Sequence, residues 1–376
     1  MRIIRAAIVV VVICAAPAPA RGQSATADPV EIGFAALQQG DPERASSVFR
    51  GALVQRPRDP ALLYGAGLAA HMQGRERDAL QKLQLALDVE PRLTQASALL
   101  GAIAYGEGDL DLAIKTYEKA LVHAPAQMAM RQQLAAWQGE AAVHQRYEAL
   151  KDDRFTIMFD GPAQEKLAMR ATAALGTAFW RIAQTLGSAP TAPITVILYT
   201  QQQFHDITGA PEWAGGGFDG QIRIPLRGAS QNPPEFDRVL THELTHAMLK
   251  SIAPRNVPAW LNEGLAVYFE GRDMASAQRR LAAARIFVPL RALRNSFAGL
   301  DAMQAAVAYE ESAYATHVLL QRIGAPGLAA LLHDLDEGQP IEQAVERFGF
   351  TFAVFESDLA RRIGARLATG RSPSGR

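Results

Sequence analysis

Two histidines and a glutamate in the run Val239-Leu-Thr-His-Glu-Leu-Thr-His-Ala-Met-Leu249 have the types and spacing to hold a metal ion. His242 and His246 are four residues apart, so on a helix they share one face, about 6 Å apart along the axis. Two imidazoles so placed can bind one Zn²⁺, and Glu243 between them points beside them toward the water such an ion would carry. Downstream, Pro258-Ala-Trp-Leu-Asn-Glu263-Gly-Leu-Ala-Val-Tyr-Phe-Glu270 offers a further carboxylate on a second helix. A His₂Glu set with its fourth position open is the catalytic rather than the structural form of a zinc site. The expectation is one zinc ion per chain, and hydrolysis. A histidine alone is more often a satisfied core or surface residue. The pair, with Glu243 between and apolar Val239, Leu240, Leu244, Met248 and Leu249 around it, favours metal.

Two kinds of element must position these residues. Over about residues 26–127 the chain repeats at an offset of 34: Gly40, Gly74 and Gly108 fall in register, as do Ala45, Ala79 and Ala113. Phe49, Leu83 and Tyr117 follow, then Ala52, Ala86 and Ala120, then Pro57, Pro91 and Pro125, with Gly33, Gly67 and Gly101 upstream in each unit. Small residues at fixed places let two helices of a hairpin pack closely, the large residue fills the gap, and the proline ends the second helix. Met128–Leu150 reads as a final helix capping the stack. From residue 151 the pattern changes. Phe155–Phe159 alternates like a half-buried strand, Ala163–Leu186 is a long Ala-rich helix, and Ile194–Tyr199 and Phe218–Pro225 read as further strands. Helices follow to about residue 367. Strands first and helices after give an α+β domain over 151–367 behind an all-α array over 26–150.

The 34-residue units resemble tetratricopeptide repeats. The segment Trp260-Leu-Asn-Glu-Gly-Leu-Ala resembles the second-ligand helix of gluzincin metallopeptidases, the group containing thermolysin and the leukotriene-hydrolase-like aminopeptidases. Sixteen residues separate His246 from Glu263, a slightly shorter gap than in those aminopeptidases. The whole order is most similar to bacterial peptidase-MA-like proteins that carry tetratricopeptide repeats. That resemblance implies Glu263 as third zinc ligand, Glu243 as the base, and a peptide or protein as substrate. It also implies a tyrosine donor to the oxyanion. Ala308-Tyr309-Glu-Glu-Ser312-Ala313 resembles the aminopeptidase Tyr-x-x-Gly helix, with serine in place of glycine, so Tyr309 is the candidate and Tyr314 and His317 are rivals. Two departures stand out. Nothing matches the Gly-Ala-Met-Glu-Asn motif that holds a substrate amine, which weakens an aminopeptidase reading. Val267 stands where thermolysin has an aspartate behind a ligand histidine, leaving Glu270 and Asp237 as possible acceptors.

Lys+Arg and Asp+Glu balance at 38 each, which gives no electrostatic footprint for nucleic acid or anionic lipid. Arg2 and Arg5, the apolar run Ala6–Ala16 and the small residues Ala18-Pro-Ala20 read as a bacterial secretory signal over residues 1–20, too short to stay as a membrane anchor. Export to the periplasm or medium is therefore expected. Cys14, the only cysteine, leaves with that segment, so the mature chain would have no disulfide. The tail over 368–376 is rich in Gly, Ser and Arg and reads as disordered. A groove along the repeats, with Tyr64, His71, Gln95 and Tyr105 as lining candidates, could hold a protein partner or could be a spacer. Two other functions fit the same residues: an inactive peptidase-fold scaffold, and a zinc amidase acting on a cell-wall amide.

Overall fold

The computed structural model describes residues 28–364 except 212, 213, 285, 286 and 298. The expected signal sequence, with Cys14, and the expected tail over 368–376 lie outside the described residues. The chain divides into two compact units, with the boundary between Arg146 and Tyr147.

The first unit is all helical: α1 (Pro29–Gln38), α2 (Pro42–Gln55), α3 (Pro60–Met72), α4 (Glu76–Val89), α5 (Thr94–Gly106), α6 (Leu110–His123) and α7 (Met128–His144). Asp28, Asp41, Asp59 and Asp109 accept backbone N–H bonds at helix starts, and prolines occupy the first positions of α1, α2 and α3. The repeat has a direct packing cause. A Cβ at Gly33 or Gly65 would lie 2.3 Å from the Phe49 ring, at Gly67 2.8 Å from Leu83, and at Gly101 2.4 Å from Tyr117. Each large residue thus fills a hole that only glycine opens. Gly40, Gly74 and Gly108 turn each hairpin with positive φ, a backbone state that glycine adopts without strain. The groove candidates are mostly engaged. Tyr64 is buried against Phe34, Tyr105 donates to Glu140, and His71 pairs with Glu76. Gln95 is exposed.

The helix expected to run through Leu150 ends at His144, and residues Glu148–Lys151 form strand β1 instead. The tertiary partner explains the difference: β1 pairs antiparallel with β2 (Phe155–Phe159), Glu148 facing Phe159. After α8 (Glu165–Leu186) and β3 (Ile194–Tyr199) come α9 (Gln201–Thr208), β4 (Gly217–Phe218) and β5 (Ile222–Pro225). The single strand expected over Phe218–Pro225 is therefore a tight hairpin, broken by Asp219-Gly220 with Gly220 at φ 110°. The mixed sheet runs β1-β2-β3-β5-β4, with parallel β2–β3 and β3–β5 pairs.

One sheet face carries Phe155, Ile157, Phe159, Val196, Leu198, Ile222 and Ile224 into the core. That face is covered by apolar residues of α8 and of α10 (Pro233–Ile252). Then follow α11 (Ala259–Phe269), α12 (Met274–Ala284), α13 (Ala302–Asp336), α14 (Ile341–Ala344) and α15 (Phe352–Arg362). α13 breaks at Gly324, just before Pro326. Among the described residues no helix is long and apolar enough to cross a membrane.

Candidate metal centre

Every residue of α10 from Leu240 to Leu249 is buried, including His242, Glu243 and His246. A helix buried on all sides must satisfy its polar side chains internally. His242 and His246 turn their Nε2 atoms toward each other, 3.1 Å apart. α11 brings Glu263 Oε2 to 3.6 Å from the first and 3.7 Å from the second. Among the described residues, this is the only group of three or more His, Cys, Asp or Glu side chains so gathered, with all ligand atoms within 4.8 Å.

α11 is short, so its position comes from its neighbours. The N–H groups of Ala259 and Trp260, left over at its start, donate to the carbonyls of Arg294 at 2.7 Å and Leu293 at 3.0 Å. At its end, Arg181 on α8 donates to the Phe269 carbonyl. Laterally, Gly264 lets α13 come close: a Cβ there would lie 2.3 Å from both the Ser312 carbonyl and Thr316 Oγ1.

The outer ring nitrogens are also held. His242 Nδ1 bonds Glu270 Oε1 at 2.7 Å, and His246 Nδ1 bonds Asn262 Oδ1 at 2.8 Å. With Nδ1–H donated outward, both Nε2 lone pairs face the shared centre. One shared proton could bridge the two nitrogens. Among the described residues nothing supplies a donor to Glu263 Oε2 or to Glu243 Oε1, which are both buried without a hydrogen-bond partner. Two lone pairs and a bare carboxylate oxygen converging in a dry site repel unless a cation lies between them. A tetrahedral ion with bonds of about 2.0–2.1 Å would separate its ligands by roughly 3.3–3.4 Å. The observed spacings of 3.1, 3.6 and 3.7 Å bracket that value. The three side chains fit one metal ion of zinc's size.

Electrostatics agree. Burial alone would push the His242 imidazole down, yet Glu263, Glu270 and Glu243 together raise it to about 9. Burial pushes Glu243 up to about 7, against the pull of His242. Burial also works against ionised Glu263, but His246 and His242 hold its carboxyl below the usual range. The three carboxylates thus favour positive charge at the centre where the two imidazoles meet.

Of the two acceptors offered by the sequence, Glu270 is the one behind a histidine. Asp237 points away and pairs with Arg170 on α8 at 2.6 Å. Glu270 stands two helical turns after Glu263, a spacing that returns it to the same side. Its other oxygen is bound by Arg272 at 2.6 Å and Arg238 at 3.3 Å. Sequence reasoning did not single out Asn262, Arg238 or Arg272. Asn262, adjacent to Glu263, was legible only once α11 was seen to cross α10.

Tyr309 is half-buried, with its ring 4.8 Å from that of Phe297. Burial first, then the charges of Glu263 and Glu243, raise its phenol pKa, so it stays protonated. Its hydroxyl has no hydrogen-bond partner among the described residues. The rivals are committed elsewhere: Tyr314 interacts with Arg362, and His317 bonds Gln321 at 3.0 Å. The glycine run before β4 passes against α10 at Val239 and Glu243. A Cβ at Gly216 would lie 3.1 Å from Glu243 Cγ.

A comparison with curated proteins finds no match. A family model described as the Peptidase MA superfamily matches residues 173–363. That stretch begins inside α8 and ends just past α15, so α10, α11 and α13 all fall within it. Since it spans just over half of the 376 residues and takes in both helices that face the metal position, the chain belongs to the Peptidase MA superfamily.

Proposed function

We propose that the chain is a zinc metallopeptidase in which His242, His246 and Glu263 hold the ion and Glu243 and Tyr309 carry out the chemistry. The observation that carries this reading is the convergence of three buried ligand atoms beside an unpartnered Glu243 oxygen. A zinc ion held there supplies Lewis acidity, which polarises a peptide carbonyl and lowers the pKa of water toward about 7. Glu243 Oε1 then takes the proton of the attacking water and returns it to the leaving amine. Tyr309, protonated and unpartnered, donates its hydroxyl to the oxyanion. Glu270 and Asn262 hold the two imidazoles in one tautomer.

Metal analysis of the purified chain tests the proposal. The wild type is expected to hold about one zinc per chain, and His246→Ala none after dialysis. A wild type without stoichiometric metal, purified with zinc present, would remove the basis of the reading.

We also propose that the helical unit consists of tetratricopeptide repeats that present a protein substrate or dock a partner. Its support is the 34-residue register together with the glycine holes filled by Phe49, Leu83 and Tyr117. A chain starting at Tyr147 should cut a short unstructured peptide at a rate near the full-length one, yet lose preference for its protein target. Unchanged target preference would leave the repeats no role in recognition. Export rests on residues 1–20 alone. Mass spectrometry of the protein recovered outside the cytoplasm should find Arg21 as its first residue, and an intact Met1 there would refute cleavage.

A further inference from the structure

The segment from residue 287 to residue 294 forms a strap between the start of α11 and the helices around it. Leu290 and Leu293 anchor it in the core. Its Leu293 and Arg294 carbonyls accept the first N–H groups of α11, one turn before Glu263. Two carboxylates hold it from behind. Glu356 on α15 accepts from the Arg291 N–H at 3.3 Å and pairs with that residue's guanidinium. Glu311 on α13 accepts from the Val288 N–H at 3.0 Å through Oε2.

Glu311 is the unusual member. It is fully buried, and its Oε1 has no partner. It follows Tyr309 by two residues, but it points to the strap rather than to the metal position. Nothing in the catalytic reading uses it. We propose that Glu311 is a positioning residue: its buried carboxyl latches the strap onto the start of α11, thereby seats Glu263, and releases the strap when it ionises. This rests on the metal-site reading for its consequence, not for the latch itself.

The charges around the group favour a neutral acid. Burial pushes Glu311 up to about 8, the Val288 N–H pulls it back in part, and the charge of Glu356 adds to the rise. Glu356 is itself balanced by Arg291, and neighbouring Glu310 turns to Arg280 on α12. No other charged group among the described residues bears on Glu311. With the strap open, the carboxyl would be hydrated and ionise near the ordinary 4.5. A carboxyl raised in the closed state loses closing free energy as pH climbs from the open value to the closed one, and levels off above it. The latch should therefore weaken between about pH 5 and about pH 8, by at most about tenfold per unit.

Hydrogen exchange on the full metal-free chain, read at Ala259 and Trp260, tests this against Glu311→Gln, which keeps an acceptor for Val288 and cannot ionise. The wild-type protection factor, divided by that of the variant, should fall about tenfold or more from pH 6 to pH 8. A ratio constant within about twofold overturns the latch. In the zinc-loaded chain, release to a chelator at pH 8 should be faster for wild type than for the variant by a similar factor. If the protection ratio moves while zinc release does not, the strap opens without unseating Glu263, and the positioning role is wrong. If wild type binds no zinc at all, the metallopeptidase reading falls, and the protection ratio still decides the latch. Glu311→Ala, which has no acceptor, should lose protection at both pH values.

Discussion

Glu243→Gln is expected to keep its zinc and lose hydrolysis. The substitution preserves shape in a site that is buried on every side, so the ligands His242, His246 and Glu263 should stay in place. What it removes is the ability of Oε1, which has no hydrogen-bond partner, to take a proton from water. General-base catalysis is worth about 10²–10⁴ in rate, and a loss in that range is the expected result. Tyr309→Phe supplies the contrast. It removes one donor to the oxyanion and should lower kcat by about 10²–10³ with little change in KM. Peptide turnover measured beside zinc content separates the two roles from loss of metal. A Glu243→Gln protein that cuts at the wild-type rate sinks the base assignment. Equal activity in Tyr309→Phe would return the donor role to Tyr314 or His317, although both have other partners.

Gly264→Ala should be the most damaging single methyl in the catalytic unit. The added Cβ would lie 2.3 Å from the Ser312 carbonyl and from Thr316 Oγ1, and a backbone carbonyl inside a helix cannot swing aside. α11 must then move off α13, taking Glu263 with it. Overpacking commonly costs 1–3 kcal/mol, and a contact this short against backbone puts the cost at about 3 kcal/mol or more. Zinc affinity should fall about 10–100-fold or more, because the third ligand leaves a geometry set by two fixed histidines. Gly176→Ala on α8 is the control: nothing lies within 4 Å of its Cβ, so it should be neutral or stabilising by up to about 1 kcal/mol. Thermal melts and competitive zinc titration read both effects. Wild-type zinc affinity in Gly264→Ala would show that Glu263 is not seated by this contact.

Local spacing carried much of the molecule. The four-residue step from His242 to His246 puts them on one helical face whatever surrounds it, because 3.6 residues make a turn. The 34-residue register of Gly33, Gly67 and Gly101 with Phe49, Leu83 and Tyr117 was legible for a similar reason: each hole and its filler lie within one hairpin. Strand alternation in Phe155–Phe159 and Ile194–Tyr199 likewise needed only the period of two.

What the chain alone left open depends on distances between elements. Glu148–Lys151 has no strong strand pattern and becomes β1 because β2 offers an unpaired edge. Glu270 and Asp237 were equivalent as acceptors until α11 lay across α10, which aimed one at His242 and left the other to Arg170. Tyr309, Tyr314 and His317 share one helix, and only tertiary packing commits Tyr314 to Arg362 and His317 to Gln321 while it leaves Tyr309 against Phe297 under the charges of Glu263 and Glu243. Periodicity determines which side of a helix a residue occupies. Which neighbour that side meets is decided by packing, where a single missing methyl at Gly264 sets how closely two helices approach.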